Sequence, residues 1–315
     1  MKSKLKPLSI FLSIALTAVF LFTACFDEEH NELQSSQIVI IEAAMQTIEI
    51  TPSRAELVAK ALATAYPTRI EKAEFRNDDW AMLIDDTWFY YAEGRLLPEE
   101  LRENVSEYGS IFFYNYQREL PPWTPLSQGQ WNRTRDMSNE RRTWRPRSSY
   151  FFDAIYQARN RSESYERVKT IQFLGYNITV HSLILDLVAQ IEKEILSVAE
   201  NNPQVRVWVN EINLVEGWNW RNVAGSQARS YHSYGAAIDI LPRSLGGLAT
   251  YWQWSSEWWN IPYERRYHPP DAVIEIFESY GFYWGGRWMH FFDTMHFEYR
   301  PEVFILSGYE LATPP

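Results

Sequence analysis

The stretch RSYHSYGAAIDI, Arg229 to Ile240, sets a histidine and an aspartate seven residues apart around a Gly-Ala-Ala step. His232 and Asp239 are both good metal ligands. On one straight helix they would sit about 10 Å apart along the axis, so to meet at one centre the chain must turn back or run from a loop into a strand. The residues between them allow it. Gly235 tolerates unusual backbone angles, Ala236 and Ala237 leave room, and AAIDIL has the pattern of a buried strand. The stretch therefore predicts a chain that folds back or runs from a loop into a strand, with the small residues letting the two ligands converge.

A third ligand must come from elsewhere, and WMHFFDTMHFEYRPE (Trp288–Glu302) offers it. Asp293 and His296 are three apart, which puts them on opposite faces of a strand but lets both address one centre from a turn. A catalytic zinc takes three protein ligands of the His, Asp or Glu type and keeps a fourth position open. His232, Asp239 and His296 fill that set. Asp293 fits as the base, because a carboxylate beside such a metal can take a proton from water. Glu298, two residues past His296, reads as a hydrogen-bond partner that orients the imidazole rather than as a ligand. His290 is either a second proton donor or, more simply, a structural histidine among aromatic neighbours.

SYHSYGAAID together with DTMHFE resembles the zinc peptidases of bacterial cell walls, which include D-alanyl-D-alanine carboxypeptidases and L-alanyl-D-glutamate endopeptidases and are distantly related in fold to hedgehog signalling domains. The family pattern is Ser-x-His, six residues, Asp, and later an acid three residues before a second His. The resemblance implies zinc on His232, Asp239 and His296, with Asp293 as the catalytic acid/base. Arg221, in WNWRNVAGS, stands where members carry an arginine that contacts substrate and supports the developing oxyanion, a role its fork of donors suits. The carboxypeptidase branch usually has Glu before the last His and often Trp after it. Asp293 and the HFE sequence lie closer to the endopeptidases. The resemblance covers roughly 168–302, under half the chain.

Outward from these motifs, the chain begins with three lysines (Lys2, Lys4, Lys6), an apolar run from Leu8 to Phe22 and small residues before Cys25, the layout of an export signal. LFTAC resembles a bacterial lipoprotein signal, with Phe22 where leucine is usual, so residues 1–24 are expected to be removed and Cys25 to be lipidated. Cys25 is the single cysteine, which excludes intrachain disulfides and cysteine metal sites. Removing the signal takes the 30 basic residues to 27 against 40 acidic ones, a net charge of −13. Nucleic acid is therefore not an expected partner. The basic stretch Arg133–Arg147 reads as a solvated linker or a contact to anionic wall polymer.

Residues 25–50 are expected to form an acidic tether, 51–165 an accessory region of no assigned role, 166–305 the zinc peptidase domain, and 306–315 a tail. Thr51 and Pro52 predict a helix start that runs to Pro67, and AEFRNDDWAMLIDDTWFYYAEGRLLP predicts a hairpin or small sheet. Its Trp80, Trp88, Phe89 and Tyr90 read as core more readily than as a sugar-binding face. YFFDAIYQARN predicts a short helix. TIQFLGYNITVH predicts two strands around Gly175, Ser182–Glu200 an amphipathic helix closed by Pro203, and QVRVWVNEI a strand. Ser230 and Tyr234 are equally site or packing residues, Tyr231 and Tyr251 are packing, and His181 and His268 structural. TYWQWSSEWW (Thr250–Trp259) reads as an insertion over the active-site sheet.

The fold class is thus α+β: a small antiparallel sheet with flanking helices carrying one zinc, plus an N-terminal α+β region. The expected function is zinc-dependent hydrolysis of an amide bond in peptidoglycan stem peptides, at a lipid-anchored location facing the periplasm or cell wall. D,D-carboxypeptidase action is the alternative, with Arg229, Arg243 or Arg287 as the extra cation for a free carboxylate. A lipid-anchored wall-binding protein with structural zinc is the non-catalytic one.

Overall fold

In the computed structural model the described residues are 52–313, other than 112, 114, 141–142, 144, 256, 258 and 289–290. The export signal, Cys25, the tether and His290 all lie outside them, as does Thr51. Helix α1 (Arg54–Ala65) is capped by Ser53, whose hydroxyl accepts the Glu56 N–H at 3.1 Å. Pro52 therefore precedes the cap instead of opening the helix. The helix buries Val58, Ala59, Ala61 and Leu62, one stripe at helical spacing.

Four strands follow as an antiparallel meander, β1 (Lys72–Arg76), β2 (Asp79–Ile84), β3 (Thr87–Tyr90) and β4 (Leu97–Pro98). Asn77-Asp78 and Asp85-Asp86 make the two tight turns with φ of 47° and 64°, then 47° and 63°. Asn and Asp tolerate that left-handed geometry, and it matches the twist of paired strands. Phe89 and Tyr90 are buried, and Trp80 packs on the core. Trp88 lies under the Arg76 guanidinium, 4.0 Å from its ring.

The basic stretch opens as a helix, α2 (Gln128–Glu140), which buries none of its residues. Next come α3 (Tyr150–Ile155), which buries Phe151, Phe152 and Ile155, and α4 (Arg161–Arg167), capped by Asn160. Strands β5 (Val168–Phe173) and β6 (Tyr176–His181) form the expected hairpin, turning at Leu174 and Gly175. Helix α5 (Leu185–Asn201) buries Val188, Ile191, Ile195 and Ala199.

The segment after α5 departs from expectation. QVRVWVNEI is not a strand but most of helix α6 (Pro203–Glu211), and Pro203 opens it instead of ending α5. The Asn202 side chain accepts the N–H groups of Gln204 and Val205 at 3.0 and 3.3 Å, and Pro203 supplies a preset first turn. Val205 and Trp208 are buried at helical spacing while Val207 is 60% exposed, so the valine alternation carries no sheet register.

The strand arrives later, as β7 (Ile212–Glu216). It joins β8 (Ala237–Pro242), β9 (Phe282–Trp284) and β10 (His296–Tyr299) in a second antiparallel sheet of order β7-β8-β10-β9. Helix α7 (Asp271–Ser279) covers it, with Phe277 stacked on Phe297 at 4.1 Å between ring centres. Helix α8 (Pro301–Leu306) ends the regular structure and packs on α1. The architecture is mixed helix and antiparallel sheet. One set of buried apolar side chains runs from Val58 to Tyr299, and the chain from Pro52 onward is one compact unit. Among the described residues no helix is long and apolar enough to cross a membrane.

Candidate metal centre

Ser230 caps a single 3-10 turn, Tyr231–Tyr234, which presents His232. The chain then leaves that turn through Gly235 at φ 70°, where a Cβ would lie 2.8 Å from the His181 backbone nitrogen and from a Val168 methyl. Only glycine fits there. Two residues later β8 begins and carries Asp239 inward. His296, first residue of β10, is the direct antiparallel partner of Asp239, so both side chains stand on one face of the sheet.

The three side chains meet. His296 Nδ1 lies 2.8 Å from Asp239 Oδ1, His232 Nε2 lies 3.2 Å from Asp239 Oδ2, and the two ring nitrogens are 3.2 Å apart. All three residues are buried. The remaining ring nitrogens have acceptors of their own: His232 Nδ1 donates to the Gly217 carbonyl at 2.6 Å and His296 Nε2 to Glu298 Oε2 at 3.2 Å. Those partners fix the tautomers, so in the neutral rings His232 Nε2 and His296 Nδ1 point lone pairs at a carboxylate. Three acceptors with no donor between them call for a cation, and two imidazoles with one carboxylate suit a divalent transition metal. Burial opposes charge on Asp239, yet the two imidazoles hold its carboxyl far below the usual carboxylate range. Burial likewise opposes charge on His296; where no cation lies between them, Asp239 and Glu298 outweigh it and raise that imidazole well above its ordinary value, so that a proton stands in the cation's place.

Asp293 sits in the turn before β10, its backbone bridged to Tyr251 and its N–H given to the Gly285 carbonyl at 3.1 Å. Its Oδ1 is buried with no hydrogen-bond partner among the described residues. Burial first, and then the charge of Asp239, push its carboxyl up to about 7, against the pull of His296 and Arg221. A carboxyl poised near neutrality can accept and return a proton. Arg221 has an exposed side chain, but its backbone is fastened on both sides to Ser233 Oγ, at 2.8 and 2.6 Å. The residue next to His232 thus fixes where Arg221 stands.

Glu298 is the orienting partner of His296. Tyr234 and Arg229 both bond Asp153 of α3, which grips the two ends of the loop carrying His232. Tyr231 is half-buried, packed under the Arg300 guanidinium, and His181 spends both ring nitrogens on backbone groups. His268 lies beside Asp271 and is not a member of the converging group. Of the insertion, Trp252 and Trp259 are buried and Trp254 is 66% exposed. Arg287 is committed to Glu278, and Arg243 is exposed. Sequence reasoning missed Gly217, Asp153, Arg300 and Glu302. The even spacing of Glu298, Arg300 and Glu302 was visible; no local signal marks Asp153.

Residues 224–299 match the family described as D-alanyl-D-alanine carboxypeptidase, and residues 58–113 match a domain of unknown function. The chain is also similar to the peptidoglycan L-alanyl-D-glutamate endopeptidase CwlK of Bacillus subtilis (strain 168), 35% identical over 75 residues. That alignment takes in 23% of this chain and 40% of the relative. No solved structure matches. The resemblance carried by SYHSYGAAID and DTMHFE is borne out over the matched segment.

Proposed function

We propose that this chain hydrolyses an amide bond in peptidoglycan stem peptides, in the manner of an L-alanyl-D-glutamate endopeptidase, with one zinc held by His232, Asp239 and His296. The observation that carries the reading is the convergence of three lone-pair donors in front of Asp293, a buried carboxyl poised near neutral pH. Zinc bound there supplies Lewis-acid polarisation of water and of the substrate carbonyl. Asp293 Oδ1 takes the proton of the attacking water, since no other described group occupies it. Asp293 then returns that proton to the leaving nitrogen, so the amine departs neutral. Arg221 stabilises the oxyanion with its charge.

Cleavage within the stem is favoured over removal of a terminal D-alanine by how the cations are used. Two of the three candidate cations, Arg229 and Arg287, are held by carboxylates, on Asp153 and Glu278, which leaves them poorly placed to capture a free carboxylate and narrows that role to the exposed Arg243. The test is mass spectrometry of purified peptidoglycan after incubation with residues 52–315, with and without a chelator. Chelator-sensitive cleavage between L-alanine and D-glutamate is expected. Released D-alanine would instead assign the carboxypeptidase, and bound zinc with no products the wall-binding protein.

The same reading places the chain outside the cytoplasm, anchored through a lipidated Cys25. Metabolic labelling with a fatty acid, lost in Cys25→Ser, is the expected result.

A further inference from the structure

Behind His296 the hydrogen bonding does not stop at Glu298. The second carboxylate oxygen of Glu298 accepts from Arg300 Nη1 at 3.3 Å, and Arg300 Nε donates to Glu302 Oε1. The other oxygen of Glu302 accepts the hydroxyl of Tyr66 at 3.2 Å, across 236 residues of sequence. Tyr66 is the residue that closes α1. Every member is buried: Tyr66 is 1% exposed, Glu302 0%, Arg300 3%, Glu298 6% and His296 7%. Side chains this deep keep their places only when each polar atom is answered.

The formal charges of this line add a second observation. Asp239, Glu298 and Glu302 are three buried carboxylates and Arg300 is one guanidinium, so with His296 neutral, as a metal ligand must be, two negative charges remain along this line. Such an excess is costly without a counter-charge, and a dication on His232, Asp239 and His296 balances it.

We propose that Glu302, Arg300 and Tyr66 are positioning residues of the metal centre, and that α1 serves the site by holding the far end of this line. Glu302 holds Arg300, which holds Glu298 square to His296 Nε2, which keeps His296 Nδ1 aimed at the metal. The inference rests on the metal site of the proposed function and deepens it. It also gives the region before residue 166 a task, since Tyr66 belongs to the segment that matches a domain of unknown function.

The test is zinc affinity of the folded 52–315 chain by chelator competition, with the absorption spectrum of the cobalt-substituted protein alongside. Glu302→Gln keeps the shape and removes the charge; the zinc dissociation constant is expected to rise about tenfold or more, with a shifted cobalt spectrum. Tyr66→Phe removes one hydroxyl and should move both readouts the same way by a smaller step. Tyr267→Phe is the control, because it removes a buried hydroxyl that serves Trp208 and not this line. Its zinc affinity should match the parent.

Unchanged affinity in both Glu302→Gln and Tyr66→Phe overturns the proposal, as does an equal loss in Tyr267→Phe. If Glu302→Gln fails to fold, Tyr66→Phe decides alone. None of these readouts needs a substrate, so a chain that cuts no peptidoglycan yet shows this pattern refutes the function and leaves the inference standing.

Discussion

Gly235 shows how much one position can decide. Its φ of 70° and the 2.8 Å approach to the His181 nitrogen leave no space for a side chain, and the contact is to backbone, which cannot swing away. Gly235→Ala should cost more than about 2 kcal/mol by combining backbone strain with a steric clash, and should lower zinc stoichiometry. Thermal unfolding and metal analysis of the purified variant check both. Asp293→Asn should abolish hydrolysis while zinc stays bound; full activity in that variant would sink the base assignment. His181 gives a pH prediction. Burial lowers its imidazole from 6.5 to about 4, so between those values the unfolded chain binds a proton that the folded one refuses. The stability from neutral His181 is complete above about pH 6.5 and is lost as pH falls towards 4, roughly 3 kcal/mol in all. Urea titrations of metal-free protein should show that slope and should show it flattened in His181→Gln. An equally steep slope in the variant removes His181 from the account.

At the scale of elements, the sequence spoke clearly where signals were local and close together. The Asn-Asp and Asp-Asp steps announced hairpins, and the ligand motifs announced a loop into a strand, because glycine, small residues and ligands lay within twelve positions. It misled at α6, where Val205, Val207 and Val209 alternate like a strand while Asn202 and Pro203 build a helix start. The cap outweighed the propensity of the valines. Asn202→Ala should therefore destabilise the fold by about 1 kcal/mol with unchanged zinc content, measurable by chemical denaturation. The links that complete the metal centre were unreadable for a physical reason. Asp153 meets Arg229 and Tyr66 meets Glu302 only after distant elements pack, and no spacing rule spans such a gap.

For the whole molecule, the core itself bears on where the unit that carries the candidate metal centre begins. Val58, Leu62 and Tyr66 of the first helix, with Phe151 and Tyr156, fill the same interior as Phe277 and Phe297. A fragment of residues 166–313 loses all five of those side chains from its core. It should fail to unfold cooperatively, whereas residues 52–313 should show one sharp transition by circular dichroism. Zinc should add to that stability through linkage, by about 2.7 kcal/mol when free zinc is a hundredfold above its dissociation constant. A chelator should lower the melting temperature accordingly, and magnesium should not restore it.

The pairing of His296 with Asp239 in the β8 and β10 ladder has one more consequence. Side chains in a strand change face at every residue, so a ladder mispaired by a single step would turn one ligand away from the other. Such a chain would hold no ion. Under the proposed function, metal uptake therefore serves as proofreading: it rewards the correctly paired sheet over its near neighbours.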